Sequence, residues 1–134
     1  MKGVTLTKEK TIIHSQGNLF HAMKKSSEGY RGFGEVYFST VNKGEVKGWK
    51  RHQRMTLNLV VPVGRVAFML RSDIGEVKRV ELGPLNYYRL TVLPGIWVAF
   101  EGMENFNLLM NMSDLEHDPE EVDRKDLEAY PLLG

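Results

Sequence analysis

Short runs of apolar and β-branched residues, separated by turn residues, dominate the hydrophobic pattern of this chain. Met55–Val63 is apolar at nearly every position, as a strand buried on both faces would be. Val77–Leu82 alternates charged and apolar residues, which is typical of a half-buried strand. Pro62-Val63-Gly64 and Pro94-Gly95 are turn signals between neighbouring runs. The candidate strands are Phe33–Val41, Met55–Val63, Val66–Leu70, Val77–Leu82, Tyr87–Leu93, Ile96–Phe100 and Phe106–Met112.

Turn signals at such short and regular intervals favour an all-β sandwich or barrel. Helical periodicity is weak throughout. The best helical candidate is Pro119–Arg124, where Asp118 could cap the helix and Pro119 could occupy its first position. The acidic tail that begins at Asp114 is therefore predicted to be a short helical or irregular segment, which wraps this domain or a neighbouring subunit.

Composition narrows the class of protein. The chain has 134 residues, of which 42% are hydrophobic and 26% charged, so we expect one globular domain over residues 1–134. The net charge of +1 argues against a general nucleic-acid binder. The absence of cysteine excludes disulfides, zinc ribbons and cysteine nucleophiles. Residues 1–9 contain no apolar signal core and no run is long enough to span a bilayer, so the prediction is a soluble, cytoplasmic protein without membrane contact.

Lysine, arginine, histidine and tryptophan residues crowd into one β-like segment, residues 44–59. Lys47 and Trp49 share one strand parity, and Lys50 and His52 share the other. Cationic groups beside an aromatic ring on a β scaffold suit an anionic sugar or nucleotide ligand. The alternative is a solvated edge strand, since edge strands often carry lysine and arginine to block aggregation.

Other residues leave two interpretations open. Asn58 lies in an apolar run, where a buried amide needs partners, so it is either a ligand contact or a satisfied core amide. Trp97 follows a Pro-Gly turn and on composition alone belongs to the core. The segment from Arg31 to Glu35 reads RGFGE, which is either a turn that enters a strand or a backbone that approaches a flat ring.

No motif for metal, nucleophilic or phosphate-loop chemistry is present. His14, His21 and His117 are scattered without the spacing of metal ligands, so neither a metal nor another cofactor is expected. The chain contains no Gly-x-Ser-x-Gly elbow, no Walker pattern and no Gly-x-Gly-x-x-Gly pattern.

Several segments occur in an order that matches a known family, from about Gly17 to Tyr130. They are Phe33-Gly34-Glu35-Val36-Tyr37-Phe38-Ser39, Val46-Lys47-Gly48-Trp49, Arg51-His52, Met55-Thr56-Leu57-Asn58, Leu93-Pro94-Gly95-Ile96-Trp97 and His117-Asp118-Pro119-Glu120-Glu121. Together they resemble the dTDP-4-dehydrorhamnose 3,5-epimerase family of the cupin superfamily, and most closely its short, epimerase-related branch.

The resemblance implies a cupin-type jelly-roll β-barrel that forms a homodimer by exchanging N-terminal strands. It implies a nucleotide-linked (dTDP-type) 4-keto-6-deoxy sugar as substrate, in deoxysugar or polysaccharide biosynthesis, with no metal and no cofactor. In the family a histidine removes the proton next to the keto group, a lysine steadies the enolate and a tyrosine is the acid. This is sound chemistry, because an α-proton is acidic only if the enolate charge is stabilised.

The chain departs from the family at the positions that matter most. Lys50 stands where the catalytic histidine is expected, and Met110 falls near the position of the late-strand tyrosine. Metal-binding cupins need a His-x-His pair and a later histidine, but this chain has Lys50-Arg51-His52 and Val98 there. Lys47 replaces an arginine before the Gly-x-His motif.

We therefore assign site residues as expectations. His52 is the expected base, and Lys50 or Lys47 the group that stabilises the enolate, although a buried lysine could itself be the base. The resemblance implies Arg31 and Glu35 as nucleotide contacts. The expected substrate site is completed by Trp49, Arg54, Asn58 and Trp97.

Three functions remain open at this point. The first is a metal-independent epimerase or keto-isomerase, and a single base suits one reaction centre better than two. The second is a non-catalytic sugar-nucleotide binder that has lost the epimerase acid/base pair. The third is a small-ligand cupin of another kind, with or without metal. A shared barrel does not by itself establish an activity.

Overall fold

The apolar runs become strands of two β-sheets that pack face to face. The structure is a computed structural model and describes residues 1–133. The strands are β1 Val4–Lys8, β2 Thr11–Ile12, β3 Leu19–Phe20, β4 Glu35–Thr40, β5 Val46–His52, β6 Leu57–Val63, β7 Val66–Arg71, β8 Val77–Leu82, β9 Tyr88–Val92, β10 Trp97–Gly102, β11 Leu108–Ser113 and β12 Val122–Arg124. Two short 3-10 helices span Pro119–Glu121 and Leu127–Ala129.

Sheet 1 has the strand order β1-β9-β6-β11-β4, and sheet 2 has the order β12-β5-β10-β7-β8. All the ladders within these sheets are antiparallel. Strands that neighbour one another in the chain often lie in opposite sheets, as in a jelly roll. The prediction of an all-β jelly-roll barrel with a short C-terminal tail is confirmed.

The main core lies between the two sheets. β6 contributes Leu57, Leu59 and Val61, and β7 contributes Phe68 and Leu70, all of them buried. Alternate residues of a strand point to opposite faces, so the intervening residues of β6 and β7 point away from this core. They are buried only if other residues cover the outer face of their sheet. β6 and β7 are indeed buried on both faces, as their continuous apolar runs predict.

The outer face of each sheet is covered by one end of the chain. On sheet 1, Phe20 and Met23 from the N-terminal segment pack against Val60, Tyr87 and Met112. On sheet 2, the C-terminal tail covers a second apolar cluster. Its buried members are Trp49, Ala67, Met69, Trp97 and Ala99, and the tail contributes Leu127, Tyr130 and Leu133.

The predicted helix at Pro119–Arg124 is confirmed only for its first turn. Asp118 caps that turn, since its side chain accepts a hydrogen bond from the Glu120 amide at 3.0 Å. The prediction is wrong for Val122–Arg124, which form strand β12 instead. β12 satisfies the free edge of β5 with backbone hydrogen bonds, and that long-range pairing outweighs the weak local preference for a helix. β5 is therefore not an edge strand.

Candidate active site

A cavity of about 190 Å3 lies between the two sheets, near the end where β4 faces β5 and β12. Its apolar wall comes from the barrel core. These residues are Leu57, Leu59, Val98, Phe100, Leu109 and Val122. Its polar side chains come mainly from β4, β5 and the C-terminal segment. They are Tyr37, Ser39, Lys47, Lys50, His52, His117 and Arg124. No carboxylate of residues 1–133 lines this cavity, so it is a cationic pocket.

A β-bulge in β5 brings Lys47, Lys50 and His52 to this pocket. Phe100 of β10 pairs with Lys47 and Val98 pairs with Lys50, so two residue steps on β10 match three on β5. The extra residue reverses the alternation of side chains along β5. Strict alternation predicts that Lys47 lies on the face opposite Lys50 and His52. That prediction is wrong, because the bulge turns Lys47 to the same face as these two residues.

Gly48 makes the bulge possible. Its φ of +142° is a conformation that L side chains rarely adopt. A Cβ atom there would lie 2.6 Å from Ala99 Cβ and 2.7 Å from Ala99 Cα. Only glycine lets β5 approach β10 this closely while it carries an extra residue.

His52 is held by a buried carboxylate. Its Nδ1 pairs with Glu121 Oε1, and Glu121 is 2% exposed. Because one ring nitrogen is engaged with the carboxylate, the other, Nε2, is the nitrogen available to the pocket. The pair has the form of a base and the carboxylate that orients it.

Glu121 stays ionised inside the protein because the backbone solvates it. Its Oε2 accepts hydrogen bonds from the amides of Gln53, Arg54 and Met55, at 3.1, 3.0 and 3.2 Å. Burial opposes ionisation, but the hydrogen bonds from His52 and from the Arg54 and Met55 amides outweigh it and hold the pKa of the Glu121 carboxyl below its ordinary value. The carboxylate is thus a fixed anion beneath the imidazole.

The two lysines of the pocket have different surroundings. Lys47 Nζ donates to the Thr40 carbonyl at 2.7 Å and to Ser39 Oγ at 3.4 Å, which ties it to β4. Lys50 lies directly opposite Arg124 in the β5–β12 ladder. Partial burial, and then the positive charges of Arg124 and Lys47, lower the pKa of the Lys50 ammonium.

A phenol lies in the pocket although the family's late-strand tyrosine is absent. Tyr37 of β4 lines the cavity, and its hydroxyl accepts a hydrogen bond from Asn111 Nδ2 at 3.0 Å. Met110, which stands near the expected position, packs with the cluster on the outer face of sheet 1. Tyr37 is therefore the candidate acid that sequence reasoning missed.

Trp49 and Trp97 do not line the pocket. Both belong to the cluster on the outer face of sheet 2, beneath the C-terminal tail. Trp49 Nε1 donates to the Leu127 carbonyl at 3.3 Å, and the ring of Tyr130 meets the Trp49 ring edge-on at a centroid distance of 5.6 Å. Their place is structural, because the alternation of β5 and β10 turns both rings away from the barrel interior.

Asn58 lies on the outer face of sheet 1 and also does not reach the pocket. Its Oδ1 accepts hydrogen bonds from Arg89 at 2.5 Å and from Thr91 at 2.6 Å, and its Nδ2 donates to the Gly29 carbonyl at 3.1 Å. Of its two open interpretations, the structure supports the satisfied core amide.

Arg31, Glu35 and Arg54 do not line the pocket. Arg31 is exposed in the segment before β4. Glu35 begins β4, and its Oε1 accepts a hydrogen bond from the His117 amide at 3.0 Å. The Arg54 side chain is exposed and pairs with Asp118 at 3.0 Å, while its amide supports Glu121.

The residues that sequence reasoning missed all depend on contacts between distant parts of the chain. Glu121 was visible only as part of the His117–Glu121 motif, and nothing local connects it to His52. Arg124 enters the pocket because β12 pairs with β5. The sequence analysis predicted a helix at this segment, so it did not place Arg124 beside Lys50.

Residues 1–133 contain no group of three His, Cys, Asp or Glu side chains placed to hold a metal ion. None of the helices formed by these residues has the length and apolar character needed to cross a membrane.

The chain is similar to several solved structures. The dTDP sugar isomerase of Desulfovibrio desulfuricans G20 shares 32% sequence identity over 96% of this chain and 87% of that one, with a TM-score of 0.91. QdtA, a sugar 3,4-ketoisomerase of Thermoanaerobacterium thermosaccharolyticum in complex with TDP, shares 23% identity over 93% and 90% of the two chains, with a TM-score of 0.83. The dTDP-4-dehydrorhamnose 3,5-epimerase of Sulfolobus tokodaii shares 19% over 98% and 82%, with a TM-score of 0.86.

The last two structures are less than 25% identical to this chain, so their similarity shows a common fold alone. No protein-family model matches the chain, and no curated protein matches it.

Proposed function

We propose that this chain isomerises a nucleotide-linked 4-keto-6-deoxy sugar in deoxysugar biosynthesis, because it belongs to the dTDP-sugar isomerase and epimerase family of cupin barrels. The reaction is an epimerisation or a keto-isomerisation that needs no metal and begins with removal of the proton next to the carbonyl. The observation that carries this proposal is the pair formed by His52 and the buried Glu121 carboxylate at the wall of a cationic pocket.

His52 is the proposed base. The ionised Glu121 carboxylate holds Nδ1 and stabilises the imidazolium that forms when Nε2 takes the proton. The resulting enolate is anionic, and Lys47, Lys50 and Arg124 provide positive charge around it. The Tyr37 hydroxyl is the proposed acid that returns a proton from another wall of the pocket.

The size of the pocket suits one part of the substrate. About 190 Å3 is less than the roughly 300 to 1,000 Å3 typical of pockets that enclose a drug-sized ligand. We therefore place the sugar ring inside the barrel and the nucleotide at its mouth. Arg31 and Glu35, near the start of β4, remain our proposed nucleotide contacts.

The first experiment is proton exchange followed by NMR. The protein is incubated in heavy water with dTDP-4-keto-6-deoxyglucose, beside the variants His52→Ala and Lys50→Ala. We expect deuterium to appear next to the keto carbon with the wild-type protein and to be lost with His52→Ala. The control is His14→Ala, which replaces an exposed histidine that does not line the pocket and should exchange at the wild-type rate.

The outcomes separate the candidate functions. Exchange that survives in His52→Ala contradicts the assignment of the base. Ligand line-broadening without any exchange favours the non-catalytic binder, a function that the replacement of the family histidine by Lys50 also suggests. Neither exchange nor binding contradicts the proposed ligand class.

We also propose that the protein forms a homodimer, as the family resemblance implies, with exchange of N-terminal strands. β4 is an edge strand whose outer face exposes Phe38 and Val36, with 65% and 42% of their surface accessible. Exposed apolar residues on an edge strand favour pairing with another chain. Light scattering should give the mass of a dimer for the wild-type protein and of a monomer for Phe38→Glu. A wild-type monomer at all concentrations contradicts this proposal.

A further inference from the structure

Lys50 is an amine in the pocket that no other group of the described residues holds. It shares a face of β5 with His52, and its side chain lines the cavity. No hydrogen bond or ion pair joins its Nζ to another of residues 1–133. Lys47, on the same face, is tied to the Thr40 carbonyl and is correspondingly less free to reach a ligand.

The surroundings of Lys50 destabilise its protonated form relative to an exposed lysine. Arg124 lies directly across the β5–β12 ladder, and like charges placed opposite each other on a sheet are destabilising. Among residues 1–133, no carboxylate lines the pocket to offset these positive charges. Partial burial, Arg124 and Lys47 together lower the pKa of the Lys50 ammonium. A lysine that is desolvated or close to another cation is the kind that forms Schiff bases with carbonyl substrates.

We propose that Lys50 forms a covalent iminium with the ketone of the sugar during the reaction. This inference rests on the proposed function, since it requires a keto-sugar in the pocket. It gives Lys50 a role beyond that of a positive charge near an enolate. An iminium makes the neighbouring C–H more acidic than the ketone does, because the electron pair left behind is accepted by a positively charged nitrogen.

The steps balance without another reactant. The unprotonated form of the Lys50 amine adds to the carbonyl carbon, and one proton moves from nitrogen to oxygen. A second proton comes from the solvent, to which hydrolysis later returns it, and water leaves as the positively charged C=N bond forms. His52 Nε2 then takes the adjacent proton, and the C–H electron pair forms an enamine as the nitrogen becomes neutral. A proton returns to that carbon on its other face. Water adds to the regenerated iminium, the C–N bond breaks and the ketone and the amine are restored.

This route also selects the reaction class. Nitrogen stays on the original carbon throughout, so hydrolysis restores the carbonyl at the same position. The product is therefore the epimer at the neighbouring carbon, and the carbonyl does not move. Of the two reactions of the proposed function, the iminium supports the one-centre epimerase.

The test is reductive trapping. The protein is incubated with dTDP-4-keto-6-deoxyglucose and cyanoborohydride, which reduces iminium ions faster than ketones, and is then digested for mass spectrometry. We expect the peptide that contains Lys50 to gain the mass of the sugar nucleotide less one oxygen atom. Lys50→Arg should lose the adduct, and Lys43→Arg, an exposed lysine outside the pocket, should keep it. His52→Ala should keep the adduct and lose deuterium exchange.

Each other result overturns the inference. Deuterium exchange without an adduct leaves the proposed function intact and makes Lys50 an electrostatic group only. An adduct spread over several lysines is nonspecific labelling. A product whose carbonyl has moved to the next carbon excludes the iminium route. Failure of both binding and exchange contradicts the proposed function and the iminium together.

Discussion

At the scale of single residues, Glu121 is the side chain on which the candidate base depends. It accepts hydrogen bonds from backbone amides at the end of β5 and from His52, so one buried anion both closes a turn and orients the imidazole. Replacing it by glutamine keeps the shape and removes the charge. We expect Glu121→Gln to lower kcat by roughly 10² to 10⁴-fold, because the imidazolium is no longer stabilised. The neighbouring, exposed Glu120→Gln is the matched control.

The same carboxyl predicts a pH dependence of stability. Its pKa in the folded protein lies below the ordinary value of 4.5. A group with a lowered folded pKa contributes stability that is fully present above its unfolded pKa and is lost as pH falls through the folded pKa. Urea unfolding at neutral pH and at about pH 4 or below should therefore show a steeper acid loss for the wild type than for Glu121→Gln. Equal acid loss in both proteins contradicts this account.

At the scale of elements, the β5 bulge is the feature that builds the pocket. Gly48→Ala places a Cβ against Ala99 and forces an L residue into a positive φ. Strain of this kind costs about 1 to 3 kcal/mol, and overpacking costs a similar amount. We expect lower stability by denaturant titration and a raised KM, because the position of Lys47 depends on the bulge.

Gly17→Ala is the control for that substitution. Gly17 has a similar φ of +136°, but a Cβ there would meet nothing within 4 Å. It therefore reports the cost of the backbone conformation alone. If the two variants lose equal stability and Gly48→Ala keeps its KM, the close approach of β5 to β10 does not shape the pocket.

The C-terminal tail is the second element that supports the site. Tyr130 packs against both Trp49 and Trp97, and the Arg71 and Lys125 charges lie over its ring at 4.4 and 4.8 Å. Because these are the only two tryptophans of the chain, their fluorescence reports how the tail is docked. Tyr130→Ala should shift the emission to the red and weaken activity, since β12 carries Arg124 into the pocket directly before this segment.

Tyr130→Phe is the matched variant. It keeps the ring and removes only the hydroxyl that accepts from Lys125 Nζ at 2.8 Å. We expect wild-type emission and nearly wild-type activity. A wild-type spectrum for Tyr130→Ala would mean that the tail is held by other contacts.

At the scale of the whole molecule, Arg89 joins segments that are far apart in the chain. Its side chain is fully buried, pairs with Glu9 at 3.0 Å and donates to the Glu28 carbonyl at 2.7 Å and to Asn58. It thereby fastens the N-terminal segment to the outer face of sheet 1. Arg89→Ala should cost about 3 to 5 kcal/mol in the free energy of unfolding, because it leaves buried polar partners without a donor.

Chemical denaturation measures that loss. The control is Arg65→Ala, an exposed arginine whose partners Glu81 and Glu104 remain solvated, and its effect should be much smaller. Adding Glu9→Gln to Arg89→Ala should recover part of the stability. Equal effects of the two arginine substitutions contradict the role assigned to Arg89.

The sequence by itself determined strands β4 to β11, the all-β class, and the common face of Lys50 and His52. These features are local: hydrophobic periodicity depends on neighbours in the chain, and Val77–Leu82 and Met55–Val63 each carry enough of it to be recognised. The family resemblance added the jelly roll and the substrate class. Local patterns specify which way a side chain points only while the strand remains regular.

The tertiary structure decided the rest of the site. The bulge that turns Lys47 inward arises from the register of β10, and Glu121 meets His52 across 69 positions of the chain. Trp49, Asn58 and Trp97 could be assigned to an outer face only once the two sheets and both chain ends were in place. Each of these facts is a contact between residues distant in sequence. Hydrophobic periodicity predicts that a residue is buried, and the tertiary structure decides which residues bury it.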